Sequence, residues 1–432
     1  MEREDPADDL TKAPAQRTWR SGLAILASRD VALFMLSRFL WVSGTQACNV
    51  AVAWLVYEIT RSPLALGLVG LAAFAPKLAV ALIAGVVADR YERRLVMALC
   101  LAIVAAANVA LVLLVLSAEE VDVNIIYAIV VLVGLATGFV APTSQAQIAS
   151  LVPREELSRT AGLSSSISQV AAIIGPSLGG LLFLFGTWAP FAWAAVALSI
   201  ATLANLVMRH LVRQRSRGRV SLSELFAGLV FIRHRPVILG AISLDLLCVL
   251  FGGAIALLPI LATEVLQVGA SGMGVMRAMP ALGAMMVAIT LALRPLRRRA
   301  GRMLFAATII FGLATIVLGL SGNFIVSLTA LWVIGAADVI SVVIRQTLVQ
   351  ADTPDEMRGR VAAVNALFVG ASNELGEFES GVAAALFGLV PAIVVGGAAT
   401  IAIAATWMRL FPTLRDRDWL VEPELDRSAP VS

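Results

Sequence analysis

The chain has 432 residues, of which 59% are hydrophobic and 14% charged, and its formal net charge is +4. A mean hydropathy of +0.89 excludes an ordinary soluble domain, and basic residues confined to short clusters exclude a continuous nucleic-acid-binding surface. Because runs of about 20 apolar residues recur from about Val31 to about Phe411, the sequence predicts an all-α polytopic membrane protein embedded in a lipid bilayer.

Several chemistries find no support in the composition. Cys48, Cys100 and Cys248 lie inside apolar runs as small core residues, without disulfide or metal-ligand spacing. The only lysines, Lys12 and Lys77, do not stand in a phosphate-binding loop of the GxxxxGK[ST] kind, so ATP is not expected to drive the protein. We predict neither a metal nor another cofactor.

Twelve spanning helices are predicted in chain order: 31–58, 64–88, 94–117, 124–147, 159–186, 188–210, 237–263, 271–293, 303–321, 323–349, 358–387 and 390–411. Arginines cluster in the breaks that follow the even-numbered helices, whereas the opposite breaks carry Arg61 alone and a few acids. The positive-inside rule then places both termini in the cytoplasm. Arginine far outnumbers lysine and alanine is abundant, which suggests a GC-rich bacterial genome. We therefore expect the protein in the cytoplasmic membrane of a bacterium.

The break after predicted helix 2 packs five charges into ten residues, "GVVADRYERR". With twelve predicted helices around it, this loop resembles the signature of the major facilitator superfamily, roughly G-x-L-A-D-R-x-G-R-[KR], with Val87 and Glu92 at two departures. The resemblance implies a conformational latch, in which the acid meets a helix end of the other half and an ion pair forms. The alternative is an orientation signal with an incidental acid. The latch candidates are Gly85, Asp89, Arg90, Arg93 and Arg94.

Predicted helix 5 resembles the antiporter signature of the same superfamily, G-x8-G-x3-G-P-x2-G-G, with Ala171 replacing one glycine. Small residues let helices approach closely, and an internal proline bends the helix. The resemblance implies a close contact with which an exporter closes one side, and the alternative is glycine-rich packing without directional meaning. The residues at this spacing are Gly162, Gly175, Pro176, Gly179 and Gly180.

The longest internal break separates six predicted helices from six. It predicts an N-terminal tail 1–30 that is solvated rather than a signal peptide, a six-helix bundle 31–210, a central linker 211–236, a second bundle 237–411 and a C-terminal tail 412–432. In the linker, Leu222, Phe226 and Leu229 recur at helical spacing. This segment is either an amphipathic helix on the inner membrane surface or an extension of helix 7.

An internal repeat relates the halves at an offset of 201 residues. It aligns Pro153 with Pro354, Arg159 with Arg360, and Gly175 with Gly376. A parallel duplication of six helices is typical of transporters whose halves rock about a central site. Over the whole chain, "SRFLWVSGTQACNVAVAWLVYEITRSPLALGLVG", "LDLLCVLFGGAIALLPILATEVL" and "TPDEMRGRVAAVNALFVGASNELGEFESG" resemble the branch of the superfamily that contains bacterial enterobactin exporters.

Charged residues inside spanning helices are candidates for function, because burying them is costly. Glu374 and Glu377 share one face of helix 11 and should not both ionise easily, so this helix is predicted to carry the coupling proton. Asp245 is a second candidate for this role. Lys77, Arg38 and Asp338 are candidate counter-charges or substrate-cavity residues.

Three further charges are given less weight. Glu379 points away from Glu374 and Glu377, while Arg277 and Arg345 lie near enough to helix ends to reach water. Asp338 and Arg345, seven apart on one face, are predicted to be a possible structural pair. A fixed hydrogen-bond network without proton turnover is the alternative for helix 11.

Helix 4 lacks the arginine that the resemblance leads one to expect in a drug and proton antiporter, offering Ser144 instead, and helix 1 carries Arg38 in place of an acid. The leading hypothesis is nonetheless proton-driven export of a small lipophilic or siderophore-like molecule by alternating access. Its alternatives are proton-coupled uptake and a non-transporting membrane sensor. An enzyme is not expected, because His210 and His234 both lie in the linker and no catalytic group can be assembled.

Overall fold

The computed structural model describes residues 28–117, 121–209 and 222–420, except 295 and 297. A linker helix, Leu222–Arg233, and a short C-terminal turn, Pro412–Arg415, accompany twelve long helices. The long helices, named α1 to α12 in chain order, are Arg29–Thr60, Pro63–Arg90, Arg93–Ser117, Val123–Leu151, Arg154–Leu182, Ala189–Val207, Pro236–Phe251, Gly269–Leu293, Ala300–Leu320, Phe324–Ala351, Asp355–Phe387 and Leu389–Leu410.

Within the described chain, eleven helical segments are long and apolar enough to cross a membrane by length and composition. The long helix outside this set is α11, whose 33 residues include Glu374, Glu377 and Glu379. These acids lower its hydropathy, yet α11 packs along α2 and α7, both of which qualify as spans. The prediction of an all-helical polytopic fold is confirmed.

Predicted helix 7, drawn as continuous over 237–263, is interrupted. α7 ends at Phe251 and continues as a 3₁₀ turn Ala254–Leu257, a single α-helical turn, and a π-helix Leu261–Val265. Gly252 and Gly253 are poor helix formers, and Pro259 cannot donate a backbone hydrogen bond, so the regular ladder is not maintained here.

The same pattern of helix packing occurs twice. In the first half α1 packs on α5 and α6, α2 on α4, and α3 on α4 and α6; six helices later, α7 packs on α11 and α12, α8 on α10, and α9 on α10 and α12. Corresponding glycines make corresponding contacts: Gly175 lies against the backbone of Ser43 in α1, and Gly376 against Val249 at the equivalent place in α7. The two six-helix bundles are therefore related by the duplication seen in the sequence.

In the described part of the chain, the apolar contacts between the bundles lie on one side of the molecule. We name the side that carries residues 28 and 420 the terminal side and the opposite side the distal side. On the distal side a single buried apolar cluster joins Tyr57 of the first bundle to Leu257 and Met273 of the second. On the terminal side each bundle has its own separate clusters. Among the described residues, therefore, no apolar cluster joins the bundles on the terminal side, and we take the space between them to open toward that side.

The linker helix is separate from α7, because Arg235 has an extended backbone between them. It packs on α11, where a β-carbon added at Gly228 would lie 2.9 Å from the carbonyl oxygen of Arg360. The alternative of an extended helix 7 is therefore wrong. Parts of the predicted tails and linker, namely 1–27, 210–221 and 421–432, lie outside the described residues, and the cytoplasmic placement of the termini stays a prediction.

Candidate functional site between the bundles

The first bundle meets the second along α2 and α11, and glycines make the contact possible. A β-carbon added at Gly67 would lie 3.1 Å from the Cα of Gly381, and one added at Gly70 would lie 3.3 Å from Oε2 of Glu377. Small residues of this kind allow two membrane helices to approach backbone to backbone. The contact brings the acidic face of α11 directly against α2.

One ion pair crosses this contact. Lys77 Nζ of α2 donates a hydrogen bond to Oε1 of Glu374 in α11 over 2.8 Å. A predicted counter-charge and a predicted proton carrier are thus partners across the boundary between the bundles. Separation of α2 from α11 has to break the pair, because the two side chains belong to different bundles.

Glu377 lies one helical turn from Glu374 but makes no hydrogen bond or ion pair with any described residue, and its side chain is exposed to the space between the bundles. Arg277 of α8 and Lys77 both act on it electrostatically. The Nε of Arg277 is enclosed and has no hydrogen-bond partner among the described residues. Two carboxylates and two basic groups, contributed by three helices, therefore share one site.

A buried charge pair lies within the C-terminal bundle. Arg345 Nη2 of α10 is 3.1 Å from Oδ1 of Asp245 in α7, and Arg345 Nη1 donates a hydrogen bond over 3.3 Å to Oδ1 of Asn365 in α11. The predicted pairing of Arg345 with Asp338 is wrong. Asp338 is exposed and, within the described chain, has no ion-pair partner.

Arg38 is held by neutral groups in the N-terminal bundle. Its Nε donates a hydrogen bond to Oγ of Ser168 in α5 over 2.7 Å, and its Nη1 donates one to Oγ of Ser144 in α4 over 2.8 Å. The guanidinium carbon stands 5.0 Å from the ring centroid of Trp41. Arg38 therefore occupies a fixed position without a carboxylate partner among the described residues.

Two residues outside the predicted set close the distal side. The hydroxyl of Tyr57, near the end of α1, donates a hydrogen bond to Oε1 of Glu264 in the π-helix that follows α7. Sequence reasoning missed this contact because Glu264 lies just past the predicted end of helix 7. The sequence does carry a signal for this contact. Glu264 is an acid directly after a predicted spanning segment, and Tyr57 lies near the end of another.

A family model, the Major Facilitator Superfamily, matches residues 34–377 of the chain. The chain belongs to the major facilitator superfamily. Two curated relatives are enterobactin exporters named EntS, from Shigella boydii serotype 18 and from Escherichia coli O1:K1. Each is 28% identical over 354 residues, covering 80% of this chain and 83% of the relative.

Solved structures of the superfamily share the fold. A D-xylose–proton symporter aligns with a TM-score of 0.66 at 15% identity, over 90% of this chain and 99% of its own. A bacterial homologue of the human lysosomal transporter Spinster, inward-facing and unoccupied, aligns with a TM-score of 0.65 at 15% identity, over 89% and 95%. The protein is therefore a multi-pass membrane transporter of the superfamily, whose members handle small molecules, often with protons.

The superfamily loop between α2 and α3 is tied to its own bundle. Arg93 Nη1 donates a hydrogen bond to the carbonyl oxygen of Ala146 in α4 over 2.8 Å, and Arg94 Nη1 donates one over 2.6 Å to that of Met208, which follows α6. Gly85 would have open space around a β-carbon. The side chain of Asp89 lies outside the described ones, and the latch role of Asp89 and Arg90 stays a prediction.

The antiporter-type residues of α5 divide into three groups. Gly175 and Gly179 pack on α1, with Pro176 between them, whereas Gly162 has no atom within 4 Å of an added β-carbon. Gly180 instead faces Gly274 of α8, whose Cα would lie 2.5 Å from an added β-carbon. Within this motif, Gly180 is thus the glycine that contacts the other bundle.

Proposed function

We propose that this transporter exports a small lipophilic or siderophore-like molecule in exchange for protons, by alternating access. The observation that carries the proposal is the Lys77–Glu374 ion pair across the bundle boundary, with the unpaired Glu377 one turn away. Carboxylates within spanning helices that face a water-accessible space are suited to carry protons.

The ion pair links proton binding to conformation. A proton on Glu374 removes its attraction to Lys77, so protonation and separation of α2 from α11 on the distal side favour each other. When the distal side closes again, Lys77 returns to Glu374 and favours loss of the proton. The open terminal side then receives it, so each cycle carries a proton from the distal to the terminal side.

Export follows if the terminal side is cytoplasmic, as the distribution of arginines predicts. A proton then moves inward with each cycle, and the substrate moves outward in the steps between. The relationship to enterobactin exporters and the antiporter-type spacing of α5 support this direction.

The test uses inside-out membrane vesicles with an acidified lumen and a dye that reports lumenal pH. Siderophores, dyes and antibiotics are added one at a time to the outside. We expect at least one compound to release protons from wild-type vesicles, and Glu377→Gln and Glu374→Gln to abolish the release, because neither amide can carry the proton.

Glu379→Gln is the matched control, since it makes the same chemical change two residues away on another side of α11. It should release protons as wild type does. Release only when the compound is preloaded in the lumen would support uptake by symport instead. No release in either arrangement, with a broad panel, would contradict transport coupled to protons and favour a sensor.

A further inference from the structure

The position of Arg38 raises the question of what balances its charge. It is the tenth residue of α1, about 14 Å along a helix of 1.5 Å rise per residue, and therefore inside the membrane-spanning part. Its hydrogen bonds to described residues go to Ser144 and Ser168, which are neutral. A cation at this depth without a counter-charge is costly, and such residues are retained for function.

The other bundle provides an internal comparison. Ser144 of α4 aligns with Arg345 of α10 at the 201-residue offset of the repeat. In the second bundle the α10 arginine is neutralised by Asp245 of α7. In the first bundle the arginine stands on α1 instead, and α4 offers only a hydroxyl. The second bundle thus pairs its α10 arginine internally, whereas Arg38 of the first bundle has no carboxylate partner among the described residues.

Further polar side chains accompany the two hydrogen-bond partners of Arg38. Gln145 follows one of its hydrogen-bond partners and Gln169 follows the other, and both side chains are exposed. Polar residues within spanning helices face a bundle interior or a water-filled cavity. Nη2 of Arg38 donates to none of the described residues, although Nε and Nη1 are fixed. A pre-positioned guanidinium with a free donor is suited to an anionic oxygen group.

We propose that Arg38 binds an anionic group of the transported molecule, a carboxylate or an ionised phenol, while the terminal side is open. This inference rests on the proposed transport function and adds the chemical class of the substrate. Ser144 and Ser168 are positioning residues that hold the guanidinium edge, and Trp41 covers one of its faces. Arg38 supplies the positive charge and the hydrogen-bond donors that select an anion over a neutral analogue.

The experiment measures equilibrium binding to the purified full-length protein by dialysis with labelled probes. The probes are benzoate, salicylate and 2,3-dihydroxybenzoate, each compared with its neutral amide. We expect wild type to bind at least one of the acids about tenfold or more tightly than its amide, and Arg38→Gln to abolish that preference. Arg38→Lys keeps the charge but loses the planar fork, and should retain part of the preference.

Ser144→Ala and Ser168→Ala keep the charge while loosening its position, so each should weaken acid binding severalfold and reduce the preference for the acid over its amide. Arg235→Gln, at the start of α7 on the terminal side, is the matched control and should bind as wild type. Unchanged melting temperatures establish that the variants are folded. Acid binding by Arg38→Gln equal to wild type, or an absence of acid preference in wild type, would overturn the proposal.

Binding at equilibrium requires neither a proton gradient nor a transport direction. A protein that selects anions through Arg38 but releases no protons from vesicles would refute the proposed antiport and retain this inference. Proton release that is driven by neutral compounds and unaffected by Arg38→Gln would support the proposed antiport and refute this inference.

Discussion

At the scale of single residues, Asp245 and Arg345 show how this chain stabilises a charge inside the membrane. Their side chains are only 9% and 5% exposed, and Asn365 accepts a further hydrogen bond from the arginine. Removal of one member of a buried ion pair leaves the other charge unpaired, which costs about 3–5 kcal/mol, whereas replacement of both by apolar residues is often neutral.

We therefore expect Asp245→Ala to lower stability by about 3–5 kcal/mol, and Asp245→Leu combined with Arg345→Met to recover most of the loss. Thermal unfolding in detergent compares the variants. The control is Asp352→Ala, which removes a more exposed partner of Arg417 on the terminal side and should cost about 1 kcal/mol or less. An Asp245→Ala variant as stable as wild type would show that the pair adds nothing.

The same pair shows what the sequence can and cannot predict about a site. Spacing along one helix correctly places Asp338 and Arg345 on one face, but seven residues separate them by about 10 Å along the helix axis. The carboxylate that reaches Arg345 comes from α7, and no spacing rule within one helix reveals it. By contrast, Lys77 is a candidate counter-charge from the sequence alone, and the structure pairs it with Glu374.

At the scale of helices, several predicted ends agree closely with the observed ends. α2, α3 and α12 begin and end within two residues of prediction. The larger differences have local causes. α5 begins at Arg154, five residues early, because the charged segment after Pro153 is helical although it is not apolar. Hydropathy finds the membrane-embedded part of a helix, not its polar extension.

The contact between α5 and α8 depends on two glycines. A β-carbon added at Gly180 would lie 2.5 Å from both Cα and the carbonyl oxygen of Gly274, closer than any real contact allows. Gly180→Ala should therefore force the helices apart and favour opening of the distal side. Gly162→Ala is the matched control, because the same methyl group there meets no atom within 4 Å.

Spin labels at the exposed positions Leu181 and Val275, next to the two glycines, report this separation. We expect Gly180→Ala to shift the distance distribution toward longer values and Gly162→Ala to leave it unchanged. Identical distributions in wild type and Gly180→Ala would mean that the helices accommodate the methyl group without opening.

At the scale of the whole molecule, the two bundles are joined on the distal side by elements of different kinds. Glycine contacts set the spacing of α2 and α11 and of α5 and α8, while Lys77–Glu374 and Tyr57–Glu264 add polar links. The glycine and apolar contacts do not depend on pH. The Lys77–Glu374 pair does, because a neutral carboxyl group no longer attracts the ammonium group.

Acidification should therefore move the wild-type protein toward the state in which the distal side is open and the terminal side closed. Spin labels at Val86 of α2 and Leu367 of α11, both exposed positions, should approach each other as the medium is acidified. Lys77→Met should show the shorter distance already at the higher pH and a weaker response, because Glu374 has lost its partner.

A variant in which the two charges of the Lys77–Glu374 pair are exchanged distinguishes control by this ion pair from a general effect of acid on the protein. Lys77→Glu combined with Glu374→Lys restores an ion pair across the same boundary, so its pH response should return toward that of wild type. Glu379→Gln should respond fully. Glu377, which faces Arg277 of α8 and Lys77, titrates in the same site, so the response left in Lys77→Met should disappear when Glu377→Gln is added. A full response in Lys77→Met would show that closure of the distal side is not controlled by this pair.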